Sequence, residues 1–199
     1  DLIADSRKRL QAQKISLANL RVDRQNLLNE TKRSEAIYQQ LLATARAELA
    51  ASLGQGEERF MRDVNEGETI GQVISRASGC SSGQHLHFEI HKDGQVQDPN
   101  NYLKSISFSY SYSNIGYYGS INPHGNWDWP MISPIQMNQG FGSTGYARNF
   151  YRGGVHNGID IDSLSNTAVK AVKAGKLYSG SIRCGGSYPG ALLYAKVDQ

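Results

Sequence analysis

Gly83-Gln84-His85-Leu86-His87-Phe88-Glu89-Ile90 reads as a strand carrying two histidines one residue apart. Alternation along a strand places His85 and His87 on one face. Two imidazoles aimed at one space can share a metal ion, or divide the work of metal ligand and proton carrier. A second stretch, Gly154-Val155-His156-Asn157-Gly158-Ile159-Asp160, supplies a His and an Asp four apart among small residues. The rest of the chain reads as scaffolding that brings these two stretches together.

The chain has 199 residues, enough for one compact domain and an accessory element. Its 21 Lys+Arg against 18 Asp+Glu leave a net charge of +3, too small to argue for nucleic acid. That balance suits an anionic surface such as a cell wall. No apolar run approaches the length of a membrane span. With 21 Gly, 11 Tyr and several Ser-rich runs, the composition points to loop-rich β structure. Asp1 opens inside a helical pattern and Val197-Asp198-Gln199 follows directly on a strand, so the chain reads as part of a longer protein. Cys80 and Cys184 each sit in a Gly/Ser-rich loop, and both one disulfide and two free thiols remain open.

Residues 1–53 contain no Pro and no Gly, and read as one long helix. Ile3, Leu10, Leu17, Leu20, Leu27, Tyr38, Leu41 and Ala45 fit the a and d positions of a heptad frame, broken at Arg24, Thr31 and Ser34. This predicts a coiled-coil helix, serving as a docking arm or a solvated spacer. Gly54-Gln55-Gly56 ends it. Short strands and turns follow. Val64 to Ile74 is a turn and a strand, His85 to His91 the two-histidine strand, and Lys92-Asp93-Gly94-Gln95 a hairpin turn. In residues 105–126, Ser107, Ser109 and Ser111 alternate with Phe108, Tyr110 and Tyr112, which suits an exposed strand, and the stretch reads as a linker, or as an aromatic surface for sugar rings through Tyr110, Tyr112, Tyr117 and Tyr118. Ile135 to Gly142 is a strand entering a Gly turn. Tyr146 to Gly154 is a basic, aromatic loop. Thr167 to Ala174 and Gly175 to Ser181 form a predicted hairpin, and Leu192 to Val197 a last strand.

Catalytic zinc ordinarily takes three protein ligands and leaves one position open. His156, Asp160 and one histidine of the pair supply such a set, with Cys80 a weaker fourth candidate. Either motif alone is a weak signal, because short matches arise by chance. Their flanks carry more. Gly140-Phe141-Gly142 with Gly154 to Ile161 resembles the first metal motif of the lysostaphin-like zinc endopeptidases that cut peptidoglycan. Val169 to Gly180 is similar to that family's next hairpin. Val64 to Ile74, Gly83 to Ile90, Asp98-Pro99 and Tyr102-Leu103 are similar to its final segment. The resemblance covers about residues 60–104 and 127–199.

This resemblance implies a mostly β fold, with antiparallel sheets forming an open groove behind the long helix. It implies His156, Asp160 and His87 as zinc ligands, and His85 as the catalytic residue that orients the attacked carbonyl, stabilises its oxyanion or moves protons. The order of the two motifs is reversed relative to the family. The expectation is a circular permutation over 57–199, with the His-x-His part at 57–104, a linker at 105–126 and the His-x-x-x-Asp part at 127–199. The family's further histidine, in a Tyr-x-His strand, has no counterpart here. His91 and His124 match it by residue type alone and read as surface histidines. Asn138 reads as a turn residue at a strand end, with a groove contact as the alternative. The implied activity is zinc-dependent hydrolysis of peptide cross-links in bacterial peptidoglycan, in the cell envelope and facing the wall. The alternative is an inactive envelope regulator that activates other wall hydrolases, its coiled coil docking on a partner helix or envelope protein.

Overall fold

The computed structural model describes residues 2–74, 83–151, 153–184 and 190–199. The chain is mostly β, and its sheets are chiefly antiparallel. It divides into two compact units, Asp1–Gln39 and Gln40–Gln199. From Leu2 onward the first lies within the helix α1, Leu2–Ser52. The coiled-coil packing expected for residues 1–53 is not found among the described residues. Leu17, Leu20, Leu27 and Tyr38 are 52%, 61%, 65% and 47% exposed, so these seam positions meet no facing helix among the described residues. A heptad seam gains its stability only from a second helix, so the pattern alone fixes a helix and not a coil.

The second unit begins with the last turns of α1, where Ala43, Ala47 and Glu48 are buried. Gly54 and Gln55 close the helix by donating to the Ala51 and Ala50 carbonyls, the paired bonds of a Schellman end. The strands follow in order. They are β1 (Glu57–Val64), β2 (Thr69–Gln72), β3 (Leu86–Phe88), β4 (Ile90–Lys92), β5 (Gln95–Gln97), β6 (Phe108–Tyr110), β7 (Ile135–Gln139), β8 (Ile159–Ser163), β9 (Ala168–Lys170), β10 (Gly175–Arg183) and β11 (Ala191–Asp198). Two short helices, α2 (Ile115–Tyr118) and α3 (Gly145–Phe150), sit between them.

The sheet that positions the site has the order β3-β8-β7-β6. Its pairs are antiparallel except β6 with β7. Burial along β7 alternates, with Ile135, Met137 and Gln139 inside. Ile135 and Met137 join Ile159 and Ile161 of β8, Leu103, Ile121, Trp129 and Met131 in the main core. The stretch 105–126 bridges the two halves and also supplies β6 to this sheet. In it Phe108, Tyr110 and Tyr112 are half-buried while Ser107, Ser109 and Ser111 are exposed. A smaller core of Val64, Ala171 and Leu177 lies under the β1-β10-β11 sheet.

The predicted hairpin of 167–181 does not form. β9 pairs with β2, whereas β10 lies between β1 and β11. Thr167 to Lys170 and Gly175 to Ser181 both alternate, and alternation carries no information about which neighbour a strand chooses. The Asp93-Gly94 turn forms as expected between β4 and β5, with φ of 53° and 72°. The two-histidine strand is interrupted at Glu89, giving β3 and β4 in different sheets.

Gly158 lies at the join of β3 and β8. A Cβ there would stand 2.4 Å from the Phe88 carbonyl oxygen and 3.0 Å from His87 Nε2. Backbone cannot yield as a flexible side chain can. Gly158→Ala is therefore expected to destabilise the fold by about 1–3 kcal/mol, the usual range for overpacking. Urea unfolding measures this, and an unchanged midpoint would refute the close approach.

Candidate metal centre

Pairing of β3 with β8 sets His87 directly opposite Asp160. The two lie 73 positions apart in sequence, and His87 Nδ1 stands 2.8 Å from Asp160 Oδ1. His156 precedes β8 and reaches the same point. Its Nε2 is 3.1 Å from His87 Nδ1 and 3.3 Å from Asp160 Oδ1. His156 is fully buried and doubly anchored. Its backbone exchanges two hydrogen bonds with Gly142, and its Nδ1–H donates to the Gly140 carbonyl at 2.8 Å. Gly140 itself is pressed against Gly119 and Ser120, where a Cβ would come within 3.1 Å of backbone atoms. The Gly140-Phe141-Gly142 motif thus holds His156 in place from one side.

His87, His156 and Asp160 form a group that can hold a metal ion, with donor atoms all within 4.8 Å of one another. A tetrahedral ion bound at about 2.0–2.1 Å separates its ligands by about 3.3 Å, close to the spacings observed. Two imidazole nitrogens and a carboxylate oxygen are donors of a kind zinc accepts. A second observation fits a cation here. Glu48 of α1 is buried beside the group, and its Oε2 has no hydrogen-bond partner among the described residues. Glu48, His87, Tyr151, His156 and Asn157 line one cavity of about 140 Å³. A buried carboxylate oxygen without a donor is costly, and a nearby cation or its bound water relieves that cost.

Electrostatics follow from this crowding. Burial pushes the His87 imidazole down, but hydrogen bonds to Asp160 and Glu89 outweigh it and hold the pKa well above the ordinary value. Burial pushes the Asp160 carboxyl up, and the neighbouring His156 and His85 outweigh it, holding the group well below the ordinary carboxylate range. Glu48 is pushed up, chiefly by burial. Burial likewise raises the Tyr151 hydroxyl, whose ring stacks on His156 at 5.4 Å.

His85 lies just before β3, with Nε2 3.8 Å from Asp160 Oδ1. It borders the group, consistent with a face shared with His87. His124 is engaged elsewhere, its Nδ1–H donating to the Asn122 carbonyl at 2.7 Å. His91 is exposed and bonds to Glu89. Asn138 sits beside the β7 bulge and donates to Asp162 at 2.7 Å, bracing the sheet. Tyr112, Tyr118, Tyr146 and Tyr151 are linked by successive ring contacts that end on His156. Tyr110 contacts Tyr112, and Tyr117 contacts Tyr118, so all four tyrosines of the 105–126 stretch join this aromatic cluster. Cys184 is disulfide-bonded. Cys80, and with it the fourth-ligand expectation, lies outside the described residues.

Sequence reasoning missed Glu48, Glu89 and Tyr151. Glu48 carried a signal, since it occupies the next d position after Ala45 in the heptad frame, where a charge is out of place. Glu89 carried one too, as the alternate residue after His87. No family model, curated protein or solved structure matches the chain.

Metal binding requires His87 to be deprotonated. Its raised pKa extends upward the pH range over which the metal-free protein holds that proton, so metal affinity rises with pH until that pKa is passed. The metal-free fold has the opposite dependence. The contribution of charged His87 is fully present below the ordinary imidazole pKa and is lost as pH rises through the raised one. The contribution of Asp160 is lost only as pH falls through its depressed pKa. Calorimetric zinc titrations in buffers of different ionisation enthalpy are expected to show proton release on binding, and its absence would refute the paired state of His87.

Proposed function

We propose that this chain is a zinc-dependent endopeptidase that hydrolyses peptide cross-links of bacterial peptidoglycan. The observation that carries the reading is the convergence of His87, His156 and Asp160, with His85 alongside. Three protein donors of this type leave zinc open for chemistry rather than closing a structural site. Zinc held there supplies Lewis acidity toward the scissile carbonyl and lowers the pKa of water. The chain's own residues do the rest. The Gly140 carbonyl orients the His156 imidazole by accepting its Nδ1–H. His85 donates a hydrogen bond to the negative charge that develops on the attacked carbonyl, or carries a proton to the leaving amine. An open groove of the kind the resemblance implies would hold an extended peptide stem. The disulfide at Cys184 supports an oxidising compartment, in keeping with the cell envelope.

A second reading is favoured by one observation, the unpartnered apolar positions Leu17, Leu20, Leu27 and Tyr38. They suit a coiled-coil contact with a helix of another envelope protein, through which an inactive relative would regulate other wall hydrolases.

Zinc-loaded protein is expected to release cross-linked peptides from purified peptidoglycan, and chelation to abolish that release. His156→Ala is expected to eliminate zinc occupancy by metal analysis. His85→Ala should retain zinc yet lose hydrolysis by about 10²- to 10⁴-fold, the range for a positioned proton-transfer group. Zinc binding without peptide release, together with stimulation of a separate hydrolase, would favour the regulator.

A further inference from the structure

His87 faces two ways. Its Nδ1 belongs to the cluster with His156 and Asp160. Its Nε2 lies 3.0 Å from Glu89 Oε1 on the opposite edge of the ring. Glu89 Oε2 in turn stands 2.6 Å from His91 Nε2. Glu89 is largely buried, with a side chain 12% exposed, while His91 is 38% exposed. The chain is interrupted between β3 and β4 at this residue, yet Glu89 still turns toward the two flanking histidines.

We propose that Glu89, clamped from behind by His91, is the positioning residue that selects the metal-binding nitrogen of His87. A neutral imidazole carries one N–H and one lone pair, and whichever nitrogen donates a hydrogen bond leaves the other to bind metal. Without metal, His87 donates on both sides, Nδ1–H to Asp160 and Nε2–H to Glu89; when metal displaces the Nδ1 proton, Glu89 keeps the Nε2–H and the Nδ1 lone pair is left for the cluster. His156 is set the opposite way, because its Nδ1–H goes to the Gly140 carbonyl and Nε2 is left. Two histidines thus present different nitrogens to one point, each fixed by an acceptor on its far side. A carboxylate behind one imidazole also makes that nitrogen the more basic donor. Gly158 contributes room, since a Cβ at that position would stand 3.0 Å from the same Nε2 that Glu89 engages.

This inference rests on the assignment of His87 as a metal ligand, and the test separates the two. Zinc affinity of the full chain would be measured by competition with a chromophoric chelator for the parent, Glu89→Ala, Glu89→Gln and His91→Ala. Glu89→Ala is expected to weaken zinc binding about 10- to 100-fold, as loss of an outer-shell carboxylate does elsewhere. Glu89→Gln keeps an acceptor without charge, so it should recover part of that loss. His91→Ala should cost less than Glu89→Ala. Nitrogen-15 imidazole spectra of the zinc-loaded parent should show His87 protonated at Nε2, and the zinc-loaded Glu89→Ala spectrum should show that preference relaxed. Affinities of both Glu89 variants within twofold of the parent would overturn the inference and leave the metal reading standing. A parent spectrum with the proton on Nδ1 would do the same. If Glu89→Ala fails to fold, Glu89→Gln alone decides. A parent chain that takes up no zinc would overturn the metal reading and this inference together.

Discussion

One antiparallel contact governs this molecule, the short ladder between Leu86–Phe88 and Ile159–Ser163. Only three residue pairs form it, yet it brings His87 face to face with Asp160. Everything near it serves to fix that register. The β7 strand covers the other edge of β8 and fills the core with Ile135 and Met137. A bulge between Met137 and Gln139 restores pairing so that Gln139 stands opposite Asp160. Because the side-chain period of a strand is two, a slip of one residue would turn His87 away from the cluster altogether.

The cluster concentrates groups that are unfavourable together in a dry place. Two imidazoles, Asp160 and a Glu48 oxygen with no partner among the described residues lie close together. Hydrogen bonds among His87, Asp160 and Glu89 offset part of the desolvation. The remaining imbalance is the kind that a divalent cation removes. This places the strain of the site in its electrostatics, while the surrounding sheet stays conventionally packed.

Much of this arrangement was legible in the sequence, and the limits have physical causes. The alternating run from His85 predicted a shared face for His85 and His87, and both approach Asp160. The Gly-Phe-Gly motif marked a tight turn, and it holds His156 through Gly140 and Gly142. Asp93-Gly94 gave its hairpin because turn chemistry is local. Strand partners were not legible, since the β9 and β10 sequences fit many neighbours equally well. Neither was the burial of Glu48. A heptad frame describes what a helix would show to a partner, and the last turns of α1 bury Ala43, Ala47 and Glu48 within the second unit instead. The role of 105–126 was half legible. Its Ser/Tyr alternation predicted a strand, but composition could not reveal that its tyrosines join a run of rings ending on His156.

The wide sequence gap between the halves of the cluster has a temporal consequence. His87 and Asp160 are separated by 73 positions, so no local folding event can join them. A chain emerging from the ribosome carries its His-x-His strand for some time before the complementary segment exists. Only after β8 has been made and paired can the donor atoms converge. A nascent or truncated polypeptide that lacks β8 therefore cannot assemble this group of donor atoms, which converges only when the central sheet closes.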